Sequence, residues 1–82
     1  MTVALGIREA AEVLAAVSDT PRLDAELLMA HVLGVSRTTM LLDTMRDPVP
    51  AGIASLVLRR LRHEPVAYIL MAQDVGDRKS VV

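Results

Sequence analysis

Proline and glycine punctuation constrains this chain more than any other feature, because it cuts a run of helix-forming sequence into short pieces. Pro21 follows Thr20 where a helix can open, Gly34 stands where one can close, Asp47-Pro48-Val49-Pro50 forms a rigid connector, and Pro65 ends another helix. Between these marks apolar residues recur at three- and four-residue spacing. Ile7, Ala10, Ala11, Leu14 and Val17 predict a first amphipathic helix from about Ala4 to Val17, with Gly6 blurring its start. A second helix, with Thr20 as N-cap and Pro21 at its first position, runs to Leu33. Leu23, Leu27, Leu28, Ala30 and Val32 supply its apolar surface, and Asp24 and Glu26 lie near the positive end of its dipole. Ser36 caps a short helix through Asp43 whose apolar residues, Met40, Leu41 and Leu42, set no clear phase. Ile53, Leu56, Val57 and Leu61 stripe a fourth helix, which Pro65 stops by driving Glu64 out of the α region. Val66 to Met71 adds one or two helical turns that cap the bundle with Tyr68.

No alternating pattern long enough for a strand is present, nor is there an internal repeat. Apolar residues make up 52% of the chain, yet Tyr68 is its sole aromatic, which favours helix over sheet. The expected fold is all-α, a small bundle of four helices plus a short fifth helical segment, joined by short loops. At 82 residues the chain holds one domain at most, with a core only just large enough to order it.

Composition also restricts function. A formal charge of -1 creates no field that would draw the chain to nucleic acid or anionic lipid. Without cysteine, and with two histidines far apart, it offers neither a thiolate nucleophile nor a zinc site. His31 and His63 have no neighbouring serine or cysteine to activate, so no catalytic residue is assigned. The four glycines, Gly6, Gly34, Gly52 and Gly76, are too scattered to form a nucleotide or S-adenosylmethionine turn. The first residues lack the pattern of a signal peptide, and no apolar run approaches a membrane span; a soluble, cytoplasmic protein without membrane contact is expected.

Two groups of charged residues remain. On a helical wheel Arg59, Arg62 and His63 gather with Ser55 opposite the apolar stripe, a candidate partner-binding face suited to an acidic protein surface. Nucleic acid is the poorer fit, since acidic residues balance the charge and no aromatics interleave to stack bases. Arg60 falls instead at the edge of the stripe, and Asp24 lies in the first turn of the second helix near Arg22. Asp24 and Arg60 are therefore a candidate structural ion pair that fixes how the two helices dock.

The segments Asp19-Thr20-Pro21-Arg22-Leu23-Asp24-Ala25-Glu26-Leu27-Leu28-Met29-Ala30-His31-Val32-Leu33-Gly34 and Arg59-Arg60 followed by Glu64-Pro65-Val66-Ala67-Tyr68-Ile69 carry a family pattern, as does Ser36-Arg37-Thr38 after the glycine. Together they resemble the N-terminal helical domain of the peptide chain release factor glutamine methyltransferases, the PrmC/HemK family, from about Ala4 to Leu70. The resemblance implies a domain that engages the release factor, while a separate catalytic domain binds S-adenosylmethionine and methylates the glutamine of a Gly-Gly-Gln motif. The glycine-rich loop and Asn-Pro-Pro-Tyr motif of that catalytic domain are not in this sequence, so the resemblance carries over no catalytic, cofactor or metal residue. A free-standing helical adaptor, or a weak nucleic-acid binder using Arg59, Arg62 and His63, are the alternatives.

After Leu70 the pattern departs: Met71 stands where the family has glycine, and Asp74 and Val75 where it has an acidic residue and an aromatic. Asp77-Arg78-Lys79-Ser80-Val81-Val82 can be written GAT CGG AAG AGC GTC GTG, the reading of a common short-read sequencing adapter whose next triplet is a stop. The expected organisation is a helical recognition domain over residues 1–72, then a linker remnant and non-native tail over 73–82.

Overall fold

The computed structural model describes residues 1–70, and these are built from helices. α1 spans Val3–Leu14, α2 Pro21–Leu33 and α3 Arg37–Thr39, the last running directly into a π-helical segment, Met40–Thr44; α4 spans Ile53–Leu61. Residues 66–70 are helical again. The architecture is all-α, as the periodicity predicts. Among the described residues, strand-like pairing is limited to one isolated antiparallel bridge between Thr2 and Pro48. Met71 and the expected tail over residues 73–82 lie outside the described residues.

α1 buries Val3, Ile7, Ala10 and Leu14, the one-sided spacing of an amphipathic helix. Its free N-terminal amides all find acceptors. Val3 N–H donates to Asp47 O at 2.8 Å, Ala4 N–H to Met45 O at 3.0 Å, and Leu5 N–H to the Thr2 hydroxyl at 3.3 Å. The loop after the π segment thus caps α1 and ties the two ends of the first half of the chain. Gly6 sits where a Cβ would lie 2.9 Å from Val49 Cγ2 and 3.0 Å from Met29 Cε, so glycine permits that close approach. α1 ends at Leu14 rather than Val17, because Ala16 and Val17 N–H bond to carbonyls only three residues back, Val13 and Leu14, and the turn tightens.

α2 is the central helix, in contact with α1, α3 and α4. It buries Asp24, Ala25, Glu26, Leu28, Met29 and Ala30 around most of its circumference, while Leu23, assigned to its apolar surface by spacing, is exposed. Thr20 occupies the N-cap position but makes no side-chain cap bond; its hydroxyl turns to the Asp24 carboxylate instead. Gly34, at φ 75°, closes the helix, with Val35 N–H bonding to Ala30 O and Gly34 N–H to His31 O.

Ser36 caps α3 by accepting from Thr39 N–H at 3.1 Å. The following π segment adds an extra residue to its turn, which puts Met40 fully inside and leaves Leu42 outside. A 3.6-residue wheel cannot register that step. α4 buries Leu56 and half-buries Ile53, Val57 and Leu61, and it ends at Leu61, before Glu64. His63 does not continue its basic face: it adopts φ 69°, with Glu64 N–H bonding back to Arg59 O and His63 N–H to Arg60 O. After this left-handed turn Ile69, not the exposed Tyr68, enters the core.

Candidate functional site

The charged residues singled out by the sequence fall into different environments. Asp24 and Arg60 meet between α2 and α4, where Arg60 Nε donates to Asp24 Oδ2 at 3.1 Å and the side chains retain 16% (Arg60) and 11% (Asp24) of their exposure. The Ser18 hydroxyl donates to the same carboxylate oxygen at 2.6 Å, and the Thr20 hydroxyl reaches Oδ1 at 3.5 Å. Arg60 Nη2 extends to the Val17 carbonyl, also at 3.5 Å. Asp24 therefore collects donors from the loop after α1 and from α4, so the cluster holds three parts of the chain in register. Each hydrogen bond given by Ser18, Thr20 and Arg60 to Asp24, and by Arg60 to Val17, stays within the fold.

A second carboxylate, Glu26, was read from the sequence only as a dipole partner. It is nearly fully buried and accepts from Arg22 Nε on one oxygen and from Arg37 on the other, each at 2.7 Å. Burial opposes its ionisation, but the hydrogen bonds from Arg22 and Arg37, with their positive charges, outweigh that and hold the carboxyl below the usual glutamate range. The i, i+4 spacing of Arg22 and Glu26 was a legible signal for half of this clamp. The Arg37 half depends on how α3 folds against α2.

The expected face of Arg59, Arg62 and His63 is divided by the left-handed turn. Arg59 is half-buried and folds onto Glu64, with Nη2 donating to Oε1 at 3.0 Å. Arg62 and His63 are exposed. His31 is half-buried and borders a cavity of about 410 Å³ with Ser55, and among the described residues no hydrogen bond joins them. Among those residues no group of three histidine, cysteine or acidic side chains is placed to hold a metal ion. Gly6, Gly34 and Gly52 lie in α1, at the end of α2 and before α4, and none follows a strand, so the described residues do not fit an S-adenosylmethionine cradle. No described helix is long and apolar enough to cross a membrane.

Comparison with known proteins is consistent across the helical region. Residues 7–70 match the family described as PrmC N-terminal domain. The chain is 46% identical over 57 residues to the release factor glutamine methyltransferase of Corynebacterium glutamicum, covering 70% of this chain and 20% of that protein. It is 41% identical over 73 residues to the enzyme of the same name from Coxiella burnetii, covering 80% of this chain and 26% of that protein. For the Bordetella pertussis protein the identity is 50% over 59 residues, covering 66% and 21% of the two chains. This chain thus spans about a fifth to a quarter of the length of the curated relatives it matches. No solved structure gives a significant match.

Proposed function

Because this chain belongs to the PrmC N-terminal domain family, we propose that it is the substrate-recognition domain of an S-adenosylmethionine-dependent methyltransferase that modifies the Gly-Gly-Gln glutamine of peptide chain release factors. The observation that carries this reading is the match over residues 7–70, shared with relatives named as release factor glutamine methyltransferases. Within the proposal residues 1–72 form the recognition domain. The chain supplies recognition, and no step of cofactor binding or methyl transfer is assigned to its residues.

The exposed Arg62 and His63 are its candidate contacts for an acidic patch on the release factor, with Arg59 behind them, already neutralised by Glu64. Calorimetric titration of the purified chain with a bacterial release factor tests the reading. Saturable binding, with no methylation of the factor when S-adenosylmethionine is added, is the expected outcome. Absence of binding to any release factor would defeat it, and binding unchanged by Arg62→Glu would remove the basic contact from it.

A further inference from the structure

Residues of α1 and α4, with Met1 and Val49, line an open groove of about 430 Å³. Gly6 and Ala10, one helical turn apart on α1, line it together with Val49, which packs against Gly6. Its walls are aliphatic, with Val13 47% and Leu58 56% exposed. Two helices flanking a trough of this kind offer the ridges between which a third helix packs. Glu9 is the one acidic side chain lining it. Among the described residues Glu9 makes no ion pair, since the neighbouring Arg8 is directed to Glu12 at 3.7 Å. A lone carboxylate on an aliphatic wall is complemented by a lysine or arginine on the occupant.

We propose that this groove docks an amphipathic helix of the protein partner, one that presents an aliphatic ridge and a basic side chain that meets Glu9. The inference rests on the reading of the chain as a protein-recognition domain, and it adds an apolar part of recognition to the exposed Arg62 and His63. Two measurements test it. In the first, the nitrogen-labelled chain is titrated, with NMR detection, with a synthetic amphipathic helical peptide bearing leucine and alanine on one face and a flanking lysine. A counterpart with glutamate in place of that lysine is titrated in parallel. Saturable shifts centred on Ala10, Val13, Val57 and Leu58 are expected, with the glutamate peptide about fivefold weaker and the preference reversed in Glu9→Lys. Shifts that never saturate, lie elsewhere or ignore the charge exchange would overturn the proposal. Shifts that appear on concentrating the chain alone would overturn it too, by giving the groove to a second copy.

In the second, Leu58→Asp, a change at an exposed position checked for folding by circular dichroism, is titrated with the release factor. Binding reduced about tenfold or more supports the groove, and unchanged binding refutes it. A release factor that fails to bind the unaltered chain, while the lysine peptide still does, defeats the proposed function and leaves the groove standing.

Discussion

Among the described residues, two helices end on a residue in the left-handed region, Gly34 at φ 75° and His63 at φ 69°, and only the first is suited to it. A Cβ at Gly34 would meet nothing within 4 Å, so its substitution carries conformational strain alone. Gly34→Ala should therefore destabilise the domain by about 1 kcal/mol, and His63→Gly should stabilise it by about the same amount. Thermal melts would show these as opposite shifts of roughly 4–8 °C, and shifts of the same sign would contradict the account. The Asp24–Arg60 pair acts through desolvation rather than strain. With both side chains largely out of solvent, removal of either leaves a charge without its partner. We expect Asp24→Ala and Arg60→Ala each to cost about 3 kcal/mol, and the double variant to cost much less than their sum. Additive losses in urea denaturation would show that the two charges are not coupled.

The elements most legible in the sequence are those whose burial follows one period. The Ile7, Ala10, Leu14 face of α1 and the Pro21 and Gly34 limits of α2 needed no tertiary information, whereas Val3 at the start of α1 was missed. α3 was legible only through its Ser36 cap, because the π segment after it breaks the 3.6-residue register on which apolar periodicity depends. The partnership of Arg59 with Glu64 was hidden because it requires His63 to reverse the chain, and the groove because residues of α1, α4 and Val49, distant in sequence, come together to line it. Glu26 shows what such tertiary placement does for an element: it fastens α3 to α2 through Arg37. Its carboxyl ionises more readily folded than unfolded, so the unfolded chain takes up protons first as pH falls. Its stabilising contribution is therefore fully present above its ordinary value of 4.5 and is lost as pH drops through the lower folded value. Glu26→Gln should lower the urea midpoint at neutral pH, and its deficit relative to the unaltered chain should shrink below about pH 4. A deficit independent of pH would mean that the carboxylate charge plays no part in holding α3.

For the whole molecule, the limiting quantity is the size of the core. A chain of 82 residues has roughly 4–12 kcal/mol of stability to lose, and its described core rests on a few aliphatic side chains from α1, α2, α4, the π segment and residues 66–70. Ile69 is the most distant contributor in sequence, and it is fully buried although it follows the left-handed turn and Pro65. Its backbone N–H bonds to Pro65 O at 3.0 Å, so the last described helical turn is held both by its own hydrogen bond and by the core. If this turn is part of the cooperative unit, Ile69→Ala should cost about 3 kcal/mol through lost burial and the cavity left behind. Tyr68→Ala, at a neighbouring exposed position, should change stability by no more than about 0.5 kcal/mol. Urea denaturation followed by circular dichroism distinguishes the cases. A turn that frays independently would give a small loss for both variants, whereas an integral one gives a large loss for Ile69→Ala alone, with a single transition preserved.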